Sequence, residues 1–340
     1  MRILMISGDP GVLDLASNAG KRMEWYRETL GDIDILLCRG NIFSFIDKFL
    51  MAQGMMWQKK YDVITAQDIE HAFLAWSLSR LHGVPWQMQI HTDIFSPYFV
   101  EHSALNKIRV VLAKFLLPRA DGIRVVSERI KSSITAYGIR HTAISVLPIF
   151  VDAEKIKNTP IKTDLHKKYP GRFIILMASR ITKEKNIALA IEAMKELTIH
   201  PKNPLFVIVG DGPELENLKK TTKGLRLENS VSFLPFTDGL ISYYKTCDLF
   251  LLTSNYEGYG MTLIEVALAG AKIISTDVGI APEILLPENI IAVGDKLALS
   301  AKIFNALEGN INPALEPKIQ TKEEYLRLYK ESLEICVKNK

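Results

Sequence analysis

The sequence predicts an α/β protein made of two doubly wound parallel sheets. Short apolar runs alternate with amphipathic helical stretches along nearly the whole chain, and this alternation lapses once, around Ile156–Pro170, before it restarts. The length agrees. With 340 residues, 48% hydrophobic and 24% charged, the chain can form two ordinary globular domains of roughly 150 residues, each with its own core.

In the first half the strands are expected at Arg2–Ser7, Ile33–Cys38, Asp62–Ala66, Trp86–His91, Gly122–Ser127 and Ile144–Leu147. Helical patterning falls between them, including Asn18–Leu30, Ile69–His82 and Ser127–Tyr137. Strands separated by helices pair in parallel through right-handed crossovers. Ile156–Pro170 holds four Lys and two Pro without apolar periodicity and reads as a linker. The second half resumes with strands starting at Phe173, Leu205, Val231, Leu249, Lys272 and Ile290. The expected organisation is thus a first domain over 1–155, a linker over 156–170, a second domain over 171–318, and a terminal segment 319–340 whose Thr321–Val337 stretch is helical.

The net charge of +4 is too small to indicate nucleic acid. It is concentrated: between Lys107 and Lys131 seven basic residues face two acidic ones, interleaved with Ile108, Val110–Leu112 and Phe115–Leu117. That segment reads either as a buried helix with a basic edge or as a face for anionic lipid headgroups. Met51, Met55, Met56 and Trp57, followed by Lys59 and Lys60, could extend such a face. Cys38, Cys247 and Cys336 lack zinc spacing and read as buried free thiols in a reducing compartment. The N-terminus reads as a strand rather than a signal peptide, and no apolar run reaches the ~18 residues of a membrane span. The expected location is cytoplasmic, free or peripheral on the inner face of the membrane.

The most informative stretch is Leu249–Thr276. An apolar strand enters a loop with Glu257, Gly258, Tyr259 and Gly260, then a helix through Met261 and Thr262 with Glu265 one turn in, then a second apolar strand. Parallel α/β sheets bind ligands at strand carboxyl ends and helix N-termini, so both carboxylates belong to the ligand side. Arg180 and Lys185, five apart, follow the second half's first strand, and Gly210-Asp-Gly212-Pro213 follows the next. An Arg fork, a Lys and a helix N-terminus can offset the charge of a diphosphate.

In order and spacing, residues 148–290 resemble the family 4 retaining glycosyltransferases, which have the GT-B fold: two Rossmann-like domains facing a cleft, with a C-terminal helix crossing back onto the first. The resemblance implies that Arg180 and Lys185 bind the donor diphosphate. It implies that Gly258–Thr262 line the donor site, that Glu265 holds the ribose hydroxyls, and that Glu257 lies against the transferred sugar. Whether Glu257 attacks the anomeric carbon or only orients and stabilises charge stays open. His91, at a first-domain strand end, is either a structural residue or one near the donor sugar, and Asp93 could orient it or an acceptor hydroxyl. Gly20, in Ala19-Gly20, and Glu283, after Gly279, match partial family patterns. Ser179 stands where the family usually has Gly.

The implied activity is metal-independent, retaining transfer from a UDP- or GDP-linked sugar to a glycan or lipid-linked acceptor, in cell-surface polysaccharide or glycolipid synthesis. No cofactor is implied, the nucleotide sugar being a substrate. The alternatives are a non-catalytic sugar-nucleotide-binding subunit and a GT-B sugar-nucleotide epimerase. Asp32-Ile-Asp34 spells an Asp-x-Asp metal motif, but it leads into a strand at the sheet's amino end.

Overall fold

The computed structural model describes residues 1–38, 42–139 and 143–338. It divides into two compact units, Met1–Phe150 with Gln320–Lys340, and Val151–Ile319.

The first unit holds six strands: β1 (Ile3–Ser7), β2 (Ile33–Leu37), β3 (Val63–Gln67), β4 (Trp86–Ile90), β5 (Gly122–Val125) and β6 (Ile144–Val146). All pairs are parallel, in the order β2-β1-β3-β4-β5-β6. β1 and β4 are buried along their whole length, as strands covered by helices on both faces must be. From β2 through β5 the chain steps across the sheet in one direction. Right-handed crossovers therefore place the helices Ile42–Gln58, Asp68–His82 and Ala104–Leu116 on one face, the middle one touching both others. The helices Asn18–Leu30 and Lys322–Lys338 pack together on the opposite face, the latter against β3, β4 and β5.

A buried polar cluster fixes that terminal helix. Arg124 of β5 is 4% exposed; its guanidinium donates to Gln89 Oε1 (2.8 Å) and Tyr325 OH (3.2 Å) and stacks over the Tyr329 ring. Gln89 Nε2 donates to Tyr329 OH at 2.9 Å, Gln87 Nε2 to the Ser332 carbonyl at 3.0 Å, and the hydroxyls of Tyr26 and Tyr325 meet at 2.6 Å. Burying a guanidinium is costly unless its donors are satisfied, and although Arg124 Nε has no hydrogen-bond partner among the described residues, both terminal nitrogens do, so these groups must sit together for the helix to dock.

Arg124 also corrects the reading of Lys107–Lys131 as one basic edge. It lies in the core, and Arg109 is tied to Glu70 (2.5 Å) and Asn106 (2.8 Å). Asp32 pairs with Arg2, and Asp34 accepts from Lys59 Nζ (2.8 Å) and Tyr61 OH (2.7 Å), so neighbouring donors occupy these carboxylates. Of the cysteines only Cys336 is buried; Cys38 and Cys247 are half-buried rather than core residues.

The second unit repeats the plan with β7 (Phe173–Ala178), β8 (Pro204–Val209), β9 (Val231–Leu234), β10 (Leu249–Leu252), β11 (Ile273–Thr276) and β12 (Ile290–Ile291), all parallel, in the order β12-β11-β10-β7-β8-β9. The chain starts at β7, works outward to β9, then returns to the other side at β10. Residues 156–170, expected as a linker, are packed into this unit. Short helices Ala153–Asn158 and Leu165–Lys168 bury Ile156 and Leu165, and Lys245 Nζ donates to the carbonyls of Lys157 (2.7 Å) and Thr159 (2.6 Å). The lysines lie outside while two apolar anchors hold the segment, a pattern too sparse for periodicity to reveal. Among the described residues no helix is long and apolar enough to cross a membrane.

Candidate active site

β7 and β10 are neighbours, yet their chain connections leave in opposite directions across the sheet. The loops after them therefore diverge and open a crevice at their carboxyl ends, the topological switch point where such sheets bind ligands. The cavity there has a volume of about 220 Å³. Its polar wall is formed by Arg180 and Lys185 after β7, by Thr253, Ser254 and Glu257 after β10, and by Gly260, Met261 and Thr262 at the start of the next helix.

Backbone geometry explains why these residues meet. The turn after β8 presses on the first loop: a Cβ at Gly210 would lie 1.9 Å from the Ser179 carbonyl oxygen, and one at Gly212 would lie 2.3 Å from that of Ile181. Only glycine permits that approach. Ile181 N–H then donates to the Asp211 carbonyl at 2.8 Å and fixes the Arg180 segment. Further along, Lys183–Lys185 form a single 3₁₀ turn, and Asn186 is left-handed at φ 46°. Asn186 Nδ2 donates to Asn255 Oδ1 at 3.0 Å, and Asn255 N–H donates to the Glu184 carbonyl at 2.7 Å. Thr253 Oγ1 donates to the carbonyls of Lys185 and Asn186, both at 3.0 Å. The two loops are thereby stitched into one surface.

The result is a charged contact at its centre. Lys185 Nζ donates to Glu257 Oε1 at 2.7 Å, with the side chains 15% and 12% exposed, and Ser254 Oγ donates to the same oxygen at 2.6 Å. Arg180 is exposed beside them, within electrostatic reach of Glu184. Gly260, at φ 89°, turns the chain into the helix Met261–Leu268, whose first residues line the cavity. That terminus offers free N–H groups and partial positive charge. The site thus combines exposed Arg180, the Lys185–Glu257 pair and a helix N-terminus within a small crevice. This set suits an anion next to a centre that develops positive charge.

Six candidates from the sequence therefore converge on the cavity: Arg180, Lys185, Glu257, Gly260, Met261 and Thr262. Gly258, Tyr259, Glu265 and Glu283 are not among its lining residues. Tyr259 is buried behind the loop; its carbonyl accepts from Ile280 N–H at 2.8 Å, and a Cβ at Gly279 would lie 2.5 Å from the same oxygen. Burial, reinforced by the Glu283 carboxylate, pushes the Tyr259 phenol pKa up. Burial likewise raises the pKa of Glu265 within the helix. Thr253, Ser254, Asn186 and Asn255 were not singled out from sequence. The run Thr253-Ser-Asn255 at the end of an apolar strand was the available signal, since small polar residues there must bond to adjacent loops.

Gly20, His91 and Asp93 belong to the first unit. Gly20 lies in the first turn of the helix Asn18–Leu30; its N–H donates to the capping Ser17 Oγ at 2.9 Å, and a Cβ would lie 2.0 Å from the Asp14 carbonyl oxygen. Asp93 Oδ1 accepts from Ser133 Oγ at 2.7 Å and from Phe95 N–H at 3.3 Å. His91 follows β4, and its Nε2 is buried without a hydrogen-bond partner among the described residues. Burial, with the nearby charges of Arg124 and Arg22, brings its pKa down to about 3. The imidazole is therefore neutral at physiological pH, able to share a hydrogen bond with a hydroxyl but lacking the second proton that an imidazolium could release as an acid. No group of three or more His, Cys, Asp or Glu suited to a metal ion occurs among the described residues.

Comparison with known proteins decides the family. Residues 160–323 match the family described as glycosyl transferases group 1, and residues 39–149 match a glycosyl transferase 4-like domain. The chain belongs to the group 1 glycosyltransferases. One relative of this family member is the alpha-monoglucosyldiacylglycerol synthase of Streptococcus pneumoniae, 28% identical over 257 residues, 68% of this chain and 57% of that protein. Another is the UDP-Gal:alpha-D-GlcNAc-diphosphoundecaprenol alpha-1,3-galactosyltransferase of Escherichia coli, 25% identical over 254 residues, 71% and 65% of the two chains. The chain spans about half the length of several curated relatives it matches. Among solved structures, the Anabaena protein HepE in complex with UDP is similar at a TM-score of 0.70, with 20% identity, covering 100% of this chain and 95% of that one. The fold is thus GT-B, two Rossmann-like units each with a six-stranded parallel sheet.

Proposed function

We propose that this chain transfers a sugar from a nucleoside diphosphate sugar to a glycan or lipid-linked acceptor, with retention and without a metal ion, in the synthesis of cell-surface polysaccharide or glycolipid. The observation that carries the reading is the Lys185–Glu257 pair beside exposed Arg180 at the N-terminus of the helix Met261–Leu268. Arg180, Lys185 and the helix N-terminus take the diphosphate and stabilise the charge that accumulates on it as the glycosidic bond breaks. Glu257, held by Ser254, lies against the transferred sugar and stabilises its oxocarbenium-like centre. Glu265 holds the ribose hydroxyls, and Gly258 and Tyr259 shape the loop. In a front-face course the acceptor hydroxyl attacks on the leaving group's side, the departing phosphate takes its proton, and configuration is kept without a protein nucleophile. His91, as a neutral imidazole, positions a sugar hydroxyl. Two cationic side chains make a divalent ion redundant.

The donor reading is supported by relatives whose names specify UDP-Gal as donor or a glucosyl lipid as product, and by the similar structure that contains UDP. The test is a panel of UDP- and GDP-linked sugars in excess chelator, read first by thermal stabilisation and then by release of nucleoside diphosphate. Stabilisation by one base series followed by slow hydrolysis is expected. Stabilisation without any turnover, with or without saccharide acceptors, would support a silent binding subunit. A total lack of stabilisation would remove the donor site.

A further inference from the structure

One face of the first unit has an unusual solvent side. In the helix Ala104–Leu116 the buried positions are Asn106, Ala113 and Leu116, yet the side turned to solvent presents Leu105 (53% exposed), Ile108 (63%) and Val111 (70%). Around them lie Lys107, Lys114 and Arg119, all exposed, and residues 104–119 contain no Asp or Glu. A solvated helix normally carries mixed charge on its outer side; here Glu70 of the neighbouring helix answers Arg109 alone, and an apolar stripe whose own flanking charges are all cations is the pattern of a helix lying in a bilayer interface. The neighbouring helices of this layer continue it, with Leu81 (63%), Leu50 (62%) and Trp57 (81%) exposed.

We propose that this helical layer docks the protein on a bilayer containing anionic phospholipid. Leu105, Ile108, Val111 and Trp57 enter the headgroup region, while Lys107, Lys114 and Arg119 meet lipid phosphates. Charge complementarity selects the occupant. A symmetric second copy would bring the cations of 104–119 against themselves with no carboxylate in that segment to answer them. The proposal refines the acceptor reading above but rests on the first unit alone, so vesicle binding and donor binding can fail separately.

The experiment is flotation of the full chain with phosphatidylcholine vesicles, with and without a third of phosphatidylglycerol. Two surface variants are compared with wild type: Ile108→Ser with Val111→Ser, and Lys107→Glu with Lys114→Glu. Ile199→Ser, at a 92% exposed position in the second unit, is the control. Wild type and control should float with the anionic vesicles, and each double variant should bind at least about tenfold more weakly. Salt should weaken the wild type only in part, because insertion is not screened. Tryptophan emission, to which Trp57 contributes beside Trp25, Trp76 and Trp86, should shift to the blue on binding in wild type and not in Trp57→Phe. Absent flotation, equal binding by wild type and both double variants, or a lipid-free dimer dissolved by Ile108→Ser with Val111→Ser would overturn the proposal.

Discussion

Changing Glu257 to Gln should tighten binding of the free nucleoside diphosphate while slowing turnover. In the unliganded site Lys185 gives a hydrogen bond to Glu257 at 2.7 Å with both side chains largely buried. At an effective dielectric of about 20, unit charges ~3 Å apart attract by roughly 5 kcal/mol, most of it offset by desolvation. A charged hydrogen bond of this kind leaves a net ~1–2 kcal/mol that a diphosphate must displace or share to engage the ammonium. Glutamine keeps the shape and an acceptor for Ser254 but removes both the competing charge and its repulsion of the phosphates. Affinity for UDP or GDP should therefore rise about 5- to 30-fold. Turnover should fall, because the carboxylate no longer faces the developing cation. Calorimetric titration gives the affinity directly. Lys185→Ala should weaken binding about tenfold or more, and in the Lys185→Ala, Glu257→Gln double variant the gain should vanish, since the two changes act through one contact. Unchanged or weaker diphosphate binding by Glu257→Gln, or a gain that persists without Lys185, would refute the argument.

Arg180→Ala should lower kcat/KM by roughly 10²-fold or more, about 3 kcal/mol, in steady-state assays, and an intact rate would move the diphosphate elsewhere. Turnover should survive excess chelator; loss restored by magnesium or manganese would point to a metal site outside those described. Glu265→Ala should mainly raise KM for the donor. Because burial raises the folded-state pKa of Glu265, any stability tied to its proton is present at low pH and lost as pH rises through that value, so Glu265→Gln should be more thermostable than wild type at pH 7 and not at pH 4. His91 works in the opposite sense: its folded pKa is about 3, against ~6.5 unfolded. Its contribution is complete above pH ~6.5 and erodes by about 1.4 kcal/mol per unit as pH falls toward 3, so His91→Gln should flatten the acid side of the melting profile.

The strands were legible because parallel strands buried on both faces read as continuous apolar runs; Phe173–Ala178 and Leu249–Leu252 needed nothing else. The loops of the candidate site were legible because Gly260, Arg180, Lys185 and Glu257 sit at fixed offsets from those strands. What escaped was long-range. Nothing local to Arg124 shows that Gln89, Tyr325 and Tyr329 enclose it, since the partners come from another strand and a helix some 200 residues later. A basic residue next to apolar ones reads as surface until its acceptors are known, and the charge of Lys107–Lys131 was overestimated for that reason. The same locality hid the packing of residues 156–170, where a few anchors outweigh four solvated lysines.

The charges of the site also bear on how it tolerates both its states. In the empty site Lys185 and Glu257 pair with each other, and Glu184 on the same turn interacts with both Lys185 and Arg180. In the proposed reaction a sugar-linked diphosphate brings about two negative charges and draws Lys185 away from Glu257. Glu257 then retains the Ser254 hydroxyl and is otherwise uncompensated beside the sugar, where cleavage of the glycosidic bond develops positive charge. Seating the diphosphate is thus what exposes the carboxylate, so a donor lacking its second phosphate should leave Lys185 on Glu257 and the carboxylate screened. A nucleoside monophosphate sugar should accordingly bind weakly and turn over far more slowly than its binding loss explains, and turnover that fell only in step with binding would show that the pair does not gate the site.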